Sequence, residues 1–323
     1  MDKYVKGMVS VIIPTYGRSD MLTRALYSVK NQTYSNIEIL VVDDNEPGNE
    51  FSQQVERIIE TLRFDNLSLV KQEKHINGAA ARNAGIRASK GEFIAFLDDD
   101  DMFMPEKIQR QVEEINKLDN SYGAVSSQKI YIKNGVIDGI SDLWKTTKHQ
   151  NFDIITRKIN VSTCTLLMRR ICLDETGYFN ENLRRNQEVQ LLAFFTMKYK
   201  IRLVPELLTI IDCSDVANRP NAKQIVEIKQ VYLDAIAPIL DSYSRHKQKI
   251  IVGHTKVDVF RVYLREKEIK NALSVLVNSL LYPSVLFEIG KLACGRIIYR
   301  NTSQKISPEI ARIVYKIMGG NVL

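Results

Sequence analysis

The sequence predicts an α/β fold built on a mainly parallel sheet with helices on both faces. Through the first hundred residues, short runs of branched apolar residues alternate with stretches whose apolar positions recur at helical spacing. Single helices between successive strands demand right-handed crossovers, and therefore parallel neighbours. Polar clusters follow the first, second and fourth strands, where an open parallel sheet binds its ligand.

The elements follow in order. Val9-Ser-Val-Ile-Ile13, stopped by Pro14, reads as a strand buried on both faces. Met21, Leu22, Ala25, Leu26 and Val29 mark a helix that Ser19 is placed to cap. Ile37-Glu-Ile-Leu-Val-Val42 is the second strand, cut off by Asp43-Asp-Asn45. Phe51, Val55, Ile58, Ile59 and Leu62 give a second helix and residues 67–70 a third strand. An alanine-rich helix over 79–88 precedes the fourth strand, Phe93-Ile-Ala-Phe-Leu97. Residues 105–118 form a further helix. Beyond it the pattern loosens, with strand-length apolar runs at 163–168 and 201–204 around an apolar helix bearing Val189, Leu191, Leu192, Phe194 and Phe195. From about residue 222 only helical signals remain. Asn218-Arg-Pro220 interrupts the pattern, so the sequence divides into a unit over 1–218 and a helical region over 219–323.

Composition narrows the function. With 45% hydrophobic residues, 15 Gly and 8 Pro, the 323-residue chain reads as globular. Residues 1–8 lack an apolar signal core, which predicts no export. The most apolar stretch, 271–287, carries two Asn, three Ser and a Pro, unlike a membrane span. Cys164, Cys172, Cys213 and Cys294 form no C-x-x-C pair, which argues against a zinc ribbon or disulfide framework and for core cysteines in a reducing cytoplasm. Of the four histidines, only His75 lies near a site loop. G-x-G-x-x-G and G-x-x-x-x-G-K-[ST] are absent from the first turn, which removes NAD-dependent and P-loop readings.

Three clusters carry the chemistry. Four consecutive aspartates, Asp98 to Asp101, repel one another at the end of a buried strand unless a cation intervenes. Hard oxygen donors suit Mg2+ or Mn2+ bridging to a diphosphate. The alternative is capping of the helix over 105–118, but a cap needs one aspartate. The turn Thr15-Tyr-Gly-Arg18 offers backbone donors, an aromatic face and a guanidinium, the parts needed to hold a base and a phosphate. Asp43-Asp44-Asn45 closes the second strand.

The segments Val9-Ser-Val-Ile-Ile-Pro-Thr-Tyr-Gly-Arg18, Val41-Val-Asp-Asp-Asn45, Gly78-Ala-Ala-Ala-Arg-Asn-Ala-Gly85 and Gly91-Glu-Phe-Ile-Ala-Phe-Leu-Asp-Asp-Asp-Asp101 together resemble glycosyltransferase family 2, the inverting enzymes of GT-A fold. The resemblance runs over roughly residues 8–210 and implies a metal-dependent transfer from a nucleoside-diphosphate sugar, such as a UDP-sugar. It implies that Pro14, Thr15, Tyr16, Asp43 and Asp44 hold base and ribose. Arg18 and Arg82 would contact nucleotide or diphosphate, Asp98 and Asp99 ribose and sugar, and Asp100 the Mn2+ or Mg2+. Downstream, Gly177-Tyr-Phe-Asn-Glu-Asn-Leu183 and Arg185-Asn-Gln-Glu-Val-Gln-Leu191 resemble the acceptor-side segment, which places Glu188 at the catalytic base. The family commonly has Glu-Asp or Gln-Asp there; Gln187-Glu188 is one methylene longer, which leaves a catalytically silent nucleotide-sugar binder or assembly subunit as the competing reading. Trp144 and Phe152 either stack on a sugar or pack in the core. The loop over 133–151 would shape sugar specificity.

Charge separates the two ends of the chain. Residues 245–323 hold 14 Lys and Arg against 5 Asp and Glu, within a total formal charge of +7. A basic, partly apolar region over 267–300 fits either an anionic membrane surface or a helical subdomain that packs on the catalytic unit or forms a homodimer contact. Relatives of this type extend bacterial surface polysaccharides on an undecaprenyl-diphosphate-linked acceptor, which predicts peripheral attachment at the inner face of the cell membrane. No nucleic-acid-binding module is recognisable.

Overall fold

The computed structural model describes residues 3–215, 220–279 and 308–318. Its nine-stranded sheet runs β3-β2-β1-β4-β8-β6-β9-β5, with β7 paired to β6. Strands β1 (Val5–Thr15), β2 (Ile37–Asp43), β3 (Leu67–Lys71) and β4 (Gly91–Phe96) are parallel, joined through α1 (Leu22–Lys30), α2 (Glu50–Leu62) and α3 (Gly78–Ala88). The short β8 (Leu166–Arg169) inserts antiparallel between β4 and β6 (Tyr122–Lys133). The long β9 (Lys200–Asp212) returns parallel to β6, and β5 (Met102–Phe103) lies antiparallel against its far end. β7 (Val136–Ile140) makes a hairpin with β6. This mixed α/β, parallel-dominated arrangement agrees with the expected class.

Strand alternation explains the two layers. Val9, Val11 and Ile13 of β1 join Ile39 and Val41 of β2 in a core covered by α1, α2 and α4 (Lys107–Lys117). Ile12, Leu40, Val42 and Phe96 point the other way, under α3, α5 (Gln150–Ile155) and α7 (Gln187–Lys198). Burial on both faces is why these strands read as continuous apolar runs. α3 sits so close that a Cβ on Gly85 would lie 2.4 Å from Ile12 Cγ2.

Local details depart from the sequence reading. Ser19 does not cap α1; its hydroxyl donates to Gln54 Oε1 at 2.5 Å, and the cap position falls on Met21 without a side-chain bond. The run 163–168 is only half strand, because Thr163–Thr165 forms a single tight turn that carries buried Cys164 ahead of β8. Trp144 and Phe152 pack against the apolar core, and Phe152 makes an edge contact with Tyr243.

The helical region packs onto the sheet unit. α8 (Ala222–Ala235), opened by an Asn221–Gln224 capping box, contributes Tyr232 to the cluster beneath α3 and α7. The α8–α9 junction and α9 (Ala237–Asp241) add Ile236 and Ile239, and α10 (Arg245–Arg265) adds Ile251. α12 (Pro308–Ile317) lays Val314 against Met102, Met104, Ile130, Ile132 and Ile210. α11 (Ile269–Ser279) follows α10 and leaves Ile269, Leu273 and Val277 more than half exposed. α6 (Arg170–Thr176) follows β8. The rest of the basic apolar region, 280–300 with Cys294, and residues 218 and 219 of the expected boundary lie outside the described residues. Among the described residues no helix is long and apolar enough to cross a membrane.

Candidate active site

The ends of β1, β2 and β4 lie side by side, as parallel pairing requires. Thr15 ends β1 and donates its hydroxyl to Asp99 Oδ2 at 2.8 Å. Pro14 precedes it, paired in register with Val42. The chain then turns at Gly17, whose φ of +68° favours glycine and whose N–H donates to Asn45 Oδ1 at 2.8 Å. That turn leaves the Tyr16 ring exposed and stacked on His75, centroids 3.6 Å apart.

Asp43 and Asp44 are both buried, and both hold protein. Asp43 accepts from the Asn45 backbone and side chain and from Ser52 Oγ, so it fixes the loop that enters α2. Asp44 accepts from the Gln72 amide and the Ile76 N–H, and faces His75 Nδ1 at 2.9 Å. Burial raises the Asp44 carboxyl above its ordinary range, and those partners pull against it. The two aspartates therefore build the wall on which the Tyr16–His75 stack rests.

The acidic run follows β4. None of its carboxylates caps α4, whose cap position is Glu106 without a side-chain bond. Arg18 lies 3.0 Å from Asp99, 2.7 Å from Asp100 and 2.6 Å from Asp215. Arg82 pairs with Asp98. Arg24, a residue the sequence gave no reason to single out, donates to the Asp100 carbonyl and to Asp212 Oδ2. Asp101 accepts from the Asp212 N–H at 3.0 Å, so β9 closes onto the run. Burial, and then the Asp98 and Asp99 charges, push Asp100 up to about 7 despite Arg18. Burial raises Asp99 as well and drives Asp101 well above the carboxylate range.

This donor set suits a divalent cation. The oxygens are hard, the Asp98 carboxylate is about a third exposed, and Asp100 carries a repulsion that a cation would relieve. Among the described residues no three His, Cys, Asp or Glu side chains come together so that they could hold a metal ion by themselves. A Mg2+-like ion bound through one or two carboxylates, with phosphates completing its shell, needs no such trio. Cys164 takes no part: it lies against Asp101, and burial raises its thiol well above the ordinary value.

The facing wall is the start of α7. Asn186 precedes it with a left-handed φ of +62°. Gln187 donates to the Leu183 carbonyl and accepts from Arg82 Nη1 at 3.2 Å, so the chain Asp98–Arg82–Gln187 spans from β4 to α7. Glu188 comes next, half-buried, in a cleft of about 440 Å³ whose other charged lining is Asp98, Asp101, Arg82, Arg157, Arg184 and Arg185. Lys129, buried on β6, reaches the same wall through Ser162 Oγ at 2.6 Å. Arg157, Arg184 and Lys129 carried no signal in the sequence, and Arg185 stood inside a quoted segment without a role.

The cleft thus sets an acidic run after one parallel strand opposite a carboxylate on a helix start. Residues 10–174 match the family described as glycosyl transferase family 2, and the chain belongs to that family. The glycosyltransferase YwdF of Bacillus subtilis, itself uncharacterized, is 26% identical over 264 residues, 81% of this chain and 91% of that one. The amylovoran biosynthesis glycosyltransferase AmsB of Erwinia amylovora is 25% identical over 239 residues, 72% and 78% of the two chains. An uncharacterized glycosyltransferase of Rickettsia conorii is 31% identical over 196 residues, 57% of this chain but 30% of that one, so this chain spans under a third of that relative. Among solved structures, S. aureus TarS 1–349 in complex with UDP-GlcNAc superposes with a TM-score of 0.57 at 20% identity, covering 83% of this chain and 90% of that one. The mannosyltransferase PcManGT of Pyrobaculum calidifontis, with GDP-Man and Mn2+, gives 0.56 at 17%, covering 96% and 86%. Those likenesses establish the GT-A-like fold.

Proposed function

We propose that the protein moves a sugar, with inversion, from a nucleoside-diphosphate sugar to a hydroxyl of a glycan or lipid-diphosphate-linked acceptor in surface-polysaccharide synthesis. The observation that carries this reading is the pairing of walls: Glu188 and Asp98 line one cleft, joined through Arg82 and Gln187. UDP-GlcNAc and GDP-Man in the structural neighbours support a nucleotide-sugar donor, a UDP-sugar being our choice, and AmsB supports a polysaccharide product.

In this reading the base stacks on exposed Tyr16 beside the Asp43–Asp44 wall, with Pro14 and Thr15 lining the ribose side. Arg18 and Arg82 hold the acidic run and adjust to the diphosphate. Asp100, with Asp98 or Asp99 beside it, would hold Mn2+ or Mg2+, which supplies positive charge to a leaving diphosphate. Glu188 takes the proton of the acceptor hydroxyl as its oxygen bonds to the anomeric carbon from the face opposite the diphosphate. The electron pair of the breaking C–O bond leaves with the diphosphate. Left-handed Asn186 stands directly before Gln187 and Glu188 at the start of α7.

The expected catalytic unit is residues 1–218, and the described helices α8, α9, α10 and α12 pack on it. The exposed Ile269, Leu273 and Val277 of α11 and the basic C-terminal third support docking on an anionic membrane at the cytoplasmic face. Pelleting with anionic vesicles at low salt, and release at high salt, is the expected behaviour.

The deciding experiment follows nucleoside-diphosphate release from a panel of nucleotide sugars with Mn2+ and a lipid-linked acceptor. Glu188→Gln lowers kcat by about 10²- to 10⁴-fold while nucleotide affinity holds. Full-rate release from that variant removes Glu188 as base; no transfer by the parent chain, with binding intact, favours the silent reading.

A further inference from the structure

The wall that carries Glu188 is held from the C-terminal helices as well as from the sheet. Lys229 of α8 is 6% exposed, and its ammonium lies 2.6 Å from Asp258 Oδ2 on α10 and 3.2 Å from Asn186 Oδ1. Burial works to raise the Asp258 carboxyl, but Lys229 and Arg157 outweigh it and hold it below the ordinary range. Burial lowers the Lys229 ammonium in turn, against the pull of Asp258; one of its N–H groups goes to Asp258 and another to Asn186.

That acceptor matters for its position. An asparagine before a helix ordinarily turns its side-chain oxygen onto the first N–H groups of that helix. Asn186 does not: it makes no side-chain bond to α7, its backbone is left-handed, and its oxygen faces Lys229 instead. A left-handed residue other than glycine persists where its surroundings hold it. Gln187 and Glu188 follow directly, so the angle at Asn186 sets where the carboxylate enters the cleft.

We propose that Lys229 is a positioning residue for the base: the Lys229–Asp258 pair locks Asn186 and so aims Glu188. The helices of 222–265 are then a working part of the sugar-transfer site. The inference rests on the reading of Glu188 as base, and one arm of its test is independent of turnover.

In the full-length chain, Lys229→Met should speed amide hydrogen exchange over residues 183–192 while 8–16 and 91–101 stay as in the parent. UDP affinity in Mn2+ should change by less than about twofold, and kcat should fall about 10- to 100-fold, the scale expected for an ångström of misplacement. Lys229→Arg, which keeps the cation, should restore most of the rate. Should Lys229→Met not fold, Asp258→Asn, which keeps the side-chain volume, is read in the same way. Unchanged exchange over 183–192, or loss of UDP binding in parallel with kcat in both variants, overturns the proposal. An inactive parent chain would refute the base assignment alone, because the exchange arm still reports whether the pair holds that segment.

Discussion

Removing the Arg18 guanidinium tests whether the acidic run is built for a cation. Arg18→Met keeps the stem and deletes the charge that stands 3.0 Å from Asp99 and 2.7 Å from Asp100. The Asp99 side chain is 5% exposed and Asp100 is 17% exposed, so both would be left buried without this partner. Breaking a buried pair from one side costs about 3–5 kcal/mol. Arg18 itself is 29% exposed, and the aspartates can escape by taking a proton, so ~2–3 kcal/mol is the working figure at pH 7.5. For a chain of 323 residues that is a drop of roughly 3–5 °C in Tm. Differential scanning calorimetry in EDTA reads it directly. With UDP and Mn2+ present the deficit should shrink by at least about half, since the ion supplies the missing charge. A loss below about 1 °C, or a deficit that UDP and Mn2+ leave untouched, would refute the reasoning.

Two further predictions concern pH. The folded Asp100 carboxyl sits near 7 against 3.8 unfolded, so its stabilising share is whole below about pH 4 and is lost as pH climbs toward 7. Urea unfolding without metal should therefore show a decline between pH 5 and 7.5 that Asp100→Asn makes shallower, the raised Asp99 and Asp101 keeping the rest; an equal decline in both would contradict this. Lys107 is fully buried, its ammonium 2.6 Å from Gln111 Oε1 and 4.1 Å from the Phe103 ring centre, and burial lowers it to about 7. Because its folded value lies below the unfolded 10.5, it makes stability rise with pH between about 7 and 10. Lys107→Met should remove that rise and cost under about 1 kcal/mol at pH 7, with a loss above ~3 kcal/mol counting against a neutral buried amine.

The parallel half of the sheet was legible because its strands are buried on both faces and its helices carry one apolar stripe, so period alone separates them. Residues 163–168 misled for the same reason: a tight turn that buries Cys164 looks as apolar as a strand. Ser19 had the right chemistry for a cap but a better partner in Gln54, which comes from α2 and is invisible locally. The site divides along the same line. Thr15, Asp43 and Asp98 to Asp101 announce themselves by standing at strand ends, whereas Arg24 reaches the acidic run, Arg157 the cleft and Lys229 Asn186 from elements whose packing only the fold determines. The interruption at Asn218-Arg-Pro220 is a local signal, and Tyr232, Ile236 and Ile251 beyond it share a core with α3 and α7.

Crystals of the chain grown with Mn2+ and an unreactive UDP-sugar analogue give the most direct measurement. The account predicts a cation ~2.0–2.2 Å from a carboxylate oxygen of Asp98 or Asp100 and from the diphosphate, with Glu188 facing the opposite side of the sugar ring. A diphosphate seated on Arg184 and Arg185 with no cation, or a sugar turned away from Glu188, would contradict it.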